Sequence, residues 1–208
     1  MEERRFWNGV AEEKKFTTEF ALEEFLRLTT PESATLDIGC GYGRTLAELC
    51  AAGYSKLFGL DFSSTLLERC AREVPTASLT PGRAEALPYA DESFDAALLL
   101  GVLTCVATDE AQRQILSEAR RVLRVGGILC VSDFLINDDE RNLARYARFA
   151  PKYGYGRFEL DEGVVLRHHS PEYLTELFAE FTTVEGRQTT FRTMNGHESK
   201  GIIAILRK

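Results

Sequence analysis

The stretch Thr35-Leu36-Asp37-Ile38-Gly39-Cys40-Gly41-Tyr42-Gly43-Arg44 constrains the fold more than any other part of the chain. A short apolar strand runs through three glycines at alternate positions into an amphipathic helical stretch, Thr45-Leu46-Ala47-Glu48-Leu49-Cys50. Glycine serves such a turn because it adopts positive φ and has no Cβ to hold a ligand away. The helix start behind it offers unpaired N–H groups. A dinucleotide fingerprint wants Gly-x-Gly-x-x-Gly, but here the sixth position is Arg44 and the third glycine comes one residue early. Asp37 adds a carboxylate that would repel a pyrophosphate and suits a ligand with a cationic amino group.

Around this stretch, strands and helices alternate, the mark of a parallel sheet. Helical spacing covers 16–28 and stops at Thr29-Thr30-Pro31. Strands are expected at 34–38, 56–60 and 77–79. Phe94–Leu100 is a continuous apolar run, suited to a strand buried on both faces. A charged helix spans Asp109–Leu123, and Gly126-Gly127 leads into a fifth strand, Ile128–Ser132. Helices also follow Gly43, Ser63 and Ser170-Pro171, where serine suits the N-cap and proline the first turn. Two last strands, Thr182–Thr193 and Gly201–Leu206, make an antiparallel hairpin. The expected fold is α/β, a doubly wound, mainly parallel seven-stranded sheet with an antiparallel C-terminal hairpin. It is read as one domain over 1–208, with a helical cover at 1–33 and an insertion at 134–169. The aromatic part of that insertion, Tyr146 to Phe158, is read as a loop-like lid over an acceptor, with a helical cover packed on the sheet as the plain alternative.

About twenty residues past the glycines, the second strand ends in Gly59-Leu60-Asp61-Phe62-Ser63. An acid there accepts hydrogen bonds from ribose hydroxyls, which fits any nucleoside; its plain alternative is to cap the next helix. Phe62 can pack on an adenine face or in the core.

Further on stands Gly82-Arg83-Ala84-Glu85-Ala86-Leu87-Pro88, leading to Ser93-Phe94-Asp95, and later Arg120-Arg121-Val122-Leu123-Arg124-Val125-Gly126-Gly127. With Asp-x-Gly-x-Gly-x-Gly, these blocks resemble class I S-adenosylmethionine (SAM) methyltransferases from about Thr35 to Asp133. The resemblance implies SAM as cofactor. Asp37, Gly39, Cys40, Gly41 and Gly43 would hold its methionine end, Asp61 the ribose, and Phe62, Ala84 and Glu85 the adenine. Leu100 and the turn after it would lie beside the methyl group. Arg83 departs from the family, which usually has an acid at that position. Thr104 and Cys105 stand where many relatives carry histidines. N-terminal segments of the family often fold over the cofactor, so Lys15 or Thr17 is expected to meet its carboxylate.

Methyl transfer needs alignment of donor and acceptor and exclusion of water. It needs a base only when the acceptor arrives protonated. Asp133, His168 and His169 are candidates for that base. Adjacent side chains point apart, so the two histidines do not share a metal, and no metal is expected. The net charge of −7 argues against broad nucleic-acid or anionic-membrane surfaces; a small-molecule acceptor is expected, with a protein acceptor left open. No apolar run approaches the roughly 20 residues of a membrane span, no secretory signal follows Met1–Arg5, and five unpatterned cysteines read as reduced thiols; a cytoplasmic location is expected. Two alternatives stand beside methyl transfer: a SAM-binding protein without turnover, and a NAD-dependent oxidoreductase.

Overall fold

The computed structural model describes residues 2–12 and 15–208. The chain begins with α1 (Glu2–Val10) and α2 (Leu22–Leu28), then alternates β1 (Thr35–Ile38), α3 (Arg44–Ala51), β2 (Leu57–Asp61), α4 (Ser64–Glu73), β3 (Ser78–Pro81) and β4 (Phe94–Leu100). A 3₁₀ turn at Leu103–Cys105 precedes α5 (Asp109–Val122) and β5 (Leu123–Phe134). Next come α6 (Glu140–Tyr153), a small hairpin of β6 (Arg157–Glu159) and β7 (Val165–Arg167), α7 (Pro171–Leu177), and the long hairpin of β8 (Thr182–Arg192) and β9 (Glu198–Arg207).

Seven strands form one sheet in the order β3-β2-β1-β4-β5-β9-β8. β1 to β5 pair in parallel, and β9 lies antiparallel between β5 and β8. This is the doubly wound arrangement expected from the alternation. Leu36, Ile38, Leu99, Leu129 and Val131 face α5 and α7, while Leu57, Leu98, Cys130 and Ile203 face α2, α3 and α4. Each fully buried leucine or isoleucine contributes roughly 2 kcal/mol by leaving water. An exposed ion pair such as Arg27–Glu185 is worth less than about 1 kcal/mol. The central strands therefore hold the sheet's carboxyl edge in place.

Three sequence expectations change. The helix expected over 16–28 starts only at Leu22. Residues before it run extended, with the Thr18 carbonyl accepting from Arg44 at 2.6 Å and the Phe16 N–H donating to the Tyr42 hydroxyl at 3.2 Å. Those tertiary contacts outweigh a local helical preference. Gly126-Gly127 does not separate helix from strand: β5 starts at Leu123, and its register against β4 shifts between Phe94 and Ala96, so the glycines sit in a bulged strand. The segment after β5 is mostly ordered helix and hairpin, with Asp139 capping α6 through the Asn142 N–H at 3.1 Å.

Some sequence blocks are joined physically. Arg121 donates to the carbonyls of Leu87 at 3.0 Å and Tyr89 at 2.8 Å, and Glu118 accepts the Leu87 N–H at 2.8 Å. The end of α5 thereby fixes the stretch that passes the cavity described next. No described helix is long and apolar enough to cross a membrane.

Candidate functional site

A cavity of about 690 Å³ opens along the carboxyl ends of β1, β2, β4 and β5. β1 and β4 are neighbours whose chains leave toward opposite faces of the sheet, and such a switch point is where open α/β sheets bind ligands. The cavity has two ends, built from different parts of the chain.

At the first end stand Asp37, Gly39, Cys40, Asp61, Phe62, Ala84, Glu85 and Leu100. Gly39 has φ +76°, and a Cβ there would sit 2.6 Å from Val102; at Gly41, φ +54°, it would sit 2.2 Å from the Phe16 ring. Both positions exclude any side chain. Gly43, also left-handed, is the residue before α3. Asp61 organises this loop: it accepts the Gly41 N–H at 3.0 Å and the Ser63 N–H at 2.8 Å. The cap of α4 is Ser63, whose hydroxyl accepts the Leu66 N–H at 3.2 Å. Each carboxylate oxygen of Asp61 retains a lone pair for a further donor.

Asp37 differs. It is 3 % exposed, lines the cavity, and accepts no hydrogen bond from any described residue. Burial pushes its carboxyl up to about 7, against the pull of Arg44. A buried acceptor without a donor costs free energy, and a cation entering the cavity relieves that cost. Arg83 lies over the Phe62 ring at 5.6 Å and pairs with Glu85 at 3.0 Å. Where the resemblance leads to an acid, an ion pair thus stands on the cavity wall.

The other end is roofed by α6 and the β6–β7 hairpin, with Arg141, Arg145, Phe158 and His168 on its wall and Phe134 beside them. Phe6, Trp7, Phe16, Thr17 and Thr18 cover the cavity from the N-terminal side. Thr17 therefore lines the cavity. Lys15 is exposed and does not line the cavity; Lys14 and Met1 fall outside the described residues.

The three candidate bases separate. Asp133 is fully buried and lines no part of the cavity; it accepts the N–H groups of Thr104 at 3.2 Å and Phe134 at 2.7 Å. Burial raises its carboxyl to about 7. It holds the turn after β4, an internal role. His169 is equally interior, with Nδ1 3.1 Å from the Phe134 carbonyl and Nε2 2.9 Å from Gln112 Nε2. Burial lowers its pKa to about 3, so it is neutral and makes no ion pair with Asp133. Only His168 reaches the cavity. The sequence reading missed Arg141 and Arg145, although arginines four apart in an aromatic segment were a visible signal.

Residues 36–131 match the family model described as a methyltransferase domain. A demethylmenaquinone methyltransferase of Beutenbergia cavernae is 33% identical over 125 residues, 60% of this chain and 48% of that protein. The eEF1A lysine and N-terminal methyltransferase of Bos taurus is 32% identical over 113 residues, 49% of this chain and 16% of that protein. The crystal structure of a SAM-dependent methyltransferase of Methanosarcina mazei has a TM-score of 0.84 at 24% identity, covering 92% of this chain and 98% of that one; this is a likeness of fold. The chain spans less than half the length of these curated relatives. The stretch 36–131 is thus similar to a methyltransferase domain, and the cavity can be tested against SAM, the cofactor of the Methanosarcina mazei protein. The residues fit that cofactor: the buried Asp37 carboxylate, which accepts no hydrogen bond from a described residue, lines the cavity, and Gly39 and Gly41 put no Cβ in the way.

Proposed function

We propose that this chain transfers the methyl group of SAM to a small-molecule acceptor. What supports the reading is the single cavity that joins the glycine-loop end to a separate, roofed second end. Ligand pockets commonly span about 300–1,000 Å³, and the volume here, about 690 Å³, suits a nucleoside-sized cofactor with a small partner. The whole chain acts as one domain, with 1–33 as a cover and 134–169 as the insertion that shapes the acceptor end.

In this reading Asp37 takes the cofactor's ammonium, Asp61 its ribose hydroxyls, and Phe62, Ala84 and Glu85 flank the adenine, with Gly39, Cys40, Gly41 and Gly43 forming the loop and Leu100 beside the methionine chain. Bound SAM supplies an activated methyl group on a sulfonium. The residues of the chain bind, orient and exclude water. Thr17, Thr18, Phe16 and Trp7 close the N-terminal side, and the turn at Leu103–Cys105, pinned by Asp133, sets the wall between the two ends.

The test is calorimetry with S-adenosylhomocysteine (SAH), SAM and NADH, followed by an acceptor screen for SAH formation. Binding of SAH and SAM without NADH supports the reading. NADH binding, or SAH binding that survives both Gly41→Val and Asp61→Ala, contradicts it. SAM binding without SAH formation across oxygen, nitrogen, sulfur and carbon acceptors would favour a protein that binds SAM without turnover.

A further inference from the structure

The acceptor end carries an arrangement that selects the charge of its ligand. Tyr146 is fully buried, and its hydroxyl lies 2.6 Å from His168 Nδ1. The Asn137 N–H donates to the same hydroxyl at 3.3 Å, and the Arg145 guanidinium lies beside it. With donors and positive charge on its oxygen, the tyrosine turns its own proton to Nδ1. Asn137 Nδ2 spends its two protons on the Leu135 carbonyl at 2.7 Å and the Ser199 hydroxyl at 3.0 Å, leaving the tyrosine as the donor to Nδ1. Nδ1 is therefore the acceptor nitrogen. His168 is neutral, since burial, aided by Arg145, pulls its pKa well below the usual value, so its ring proton sits on Nε2. No described residue hydrogen-bonds Nε2, and His168 lines the cavity. The residue is a donor at that point, not a base.

Arg145 strengthens the selection. Its guanidinium stacks on Phe158 at 3.5 Å, its Nε is buried without a hydrogen-bond partner, and no described carboxylate forms an ion pair with it. Arg141 stands one turn earlier on α6. Glu159, Asp161 and Glu162 line the same cavity, but none of the acids nearby pairs with Arg145. Glu159 is engaged by Lys152 at 3.0 Å and Tyr153 at 2.7 Å, Asp139 lies 3.8 Å from Arg141, and Asp161 and Glu162 are exposed at the tip of the small hairpin. Phe134 stacks on His168 with centroids 5.5 Å apart, and Phe158 meets it edge-on at 5.0 Å. The charged groups thus sit among aromatic faces.

We propose that the acceptor is an anionic, ring-bearing small molecule whose negatively charged oxygen is received by the Arg145 guanidinium and the Nε2–H of His168, beside Phe134 and Phe158. The inference rests on the methyltransferase reading and deepens it. A guanidinium and an N–H donor both favour an anionic oxygen, and both disfavour an ammonium such as a lysine side chain.

The test titrates the SAH-saturated protein with three ring acids (salicylate, 4-hydroxycinnamate and indole-3-carboxylate), their neutral amides, and tyramine. At least one acid should bind about tenfold or more tighter than its amide, the size expected for a hydrogen bond to a charged group, and tyramine should not bind. Arg145→Gln should abolish the preference for acid over amide while SAH affinity stays unchanged. His168→Gln, which keeps a donor, should retain acid binding better than His168→Phe. Equal binding of acids and amides, preference for tyramine, no binding of any acid, or an acid preference that survives Arg145→Gln overturns the inference and leaves the cofactor reading standing. Absence of SAH binding by the wild-type protein overturns both.

Discussion

The two ends of the cavity are built by different rules. The cofactor end rests chiefly on two short runs at the carboxyl edge of β1 and β2, and two buried carboxylates, Asp37 and Asp61, line it, with Arg44 and Arg83 also on its wall. The acceptor end is gathered from α6, the β6–β7 hairpin, the end of β5 and the residue after β7, and its chemistry is basic: Arg141, Arg145 and a histidine donor. One end is local in sequence and the other is not. One attracts an ammonium and the other an anion. A cavity polarised in this way orients two ligands by charge before any shape is matched.

A sharper contrast lies between two aspartates that end neighbouring parts of the sheet. Asp37 and Asp133 are both buried and both held at about 7 by burial. Asp133 is satisfied by backbone N–H groups within the fold; Asp37 accepts no hydrogen bond from any described residue. Burial and a raised pKa are therefore shared by a structural acid and a binding acid. What distinguishes them is the missing donor and the open cavity.

The largest effect that would break this contrast is at the glycine loop. Gly41→Val places a branched side chain at φ +54° against the Phe16 ring, and SAH affinity measured by calorimetry should fall by more than about a hundredfold, beyond the cost of one lost hydrogen bond. At the structural acid, Asp133→Ala strands two N–H groups and should lower unfolding stability by about 2 kcal/mol in a denaturant titration. An unchanged midpoint would deny it a structural role.

The third prediction concerns pH. Folding raises the Asp37 carboxyl from its unfolded value, so its burial favours the folded state most at low pH, and that contribution is lost as pH rises through about 7. Cofactor binding runs the other way: the ammonium requires the ionised acid, so SAH affinity should weaken as pH falls below about 7. A fall of about tenfold between pH 8 and pH 6 is expected, and Asp37→Asn should flatten the profile. The smallest effect is at Lys15, which is exposed and off the cavity; Lys15→Ala should leave SAH affinity within about twofold, and a larger loss would return it to the site.

The legibility of these regions in the sequence follows from how they are built. The strand, the glycines and Asp37 could be read because backbone conformation dictates them within ten residues. Phe94–Leu100 was legible to the residue because a doubly buried strand must be apolar throughout. The start of α2 was not, since Thr18 and Phe16 are held by contacts with Arg44 and Tyr42 some 26 residues away. The same limit hid the acceptor end. His168 stood out only as half of a histidine pair, and nothing local told which of the two would face the cavity. Tyr146 and Asn137, distant in sequence, decide which of its nitrogens carries the proton.

The most direct test of a cavity with opposite ends is SAH affinity at pH 7.5 for three proteins: wild type, Asp37→Asn and Arg145→Gln. The account predicts weakened binding in Asp37→Asn alone, with Arg145→Gln matching wild type. Equal losses in both variants, or no loss in Asp37→Asn, would contradict the division of the cavity into an acidic cofactor end and a basic acceptor end.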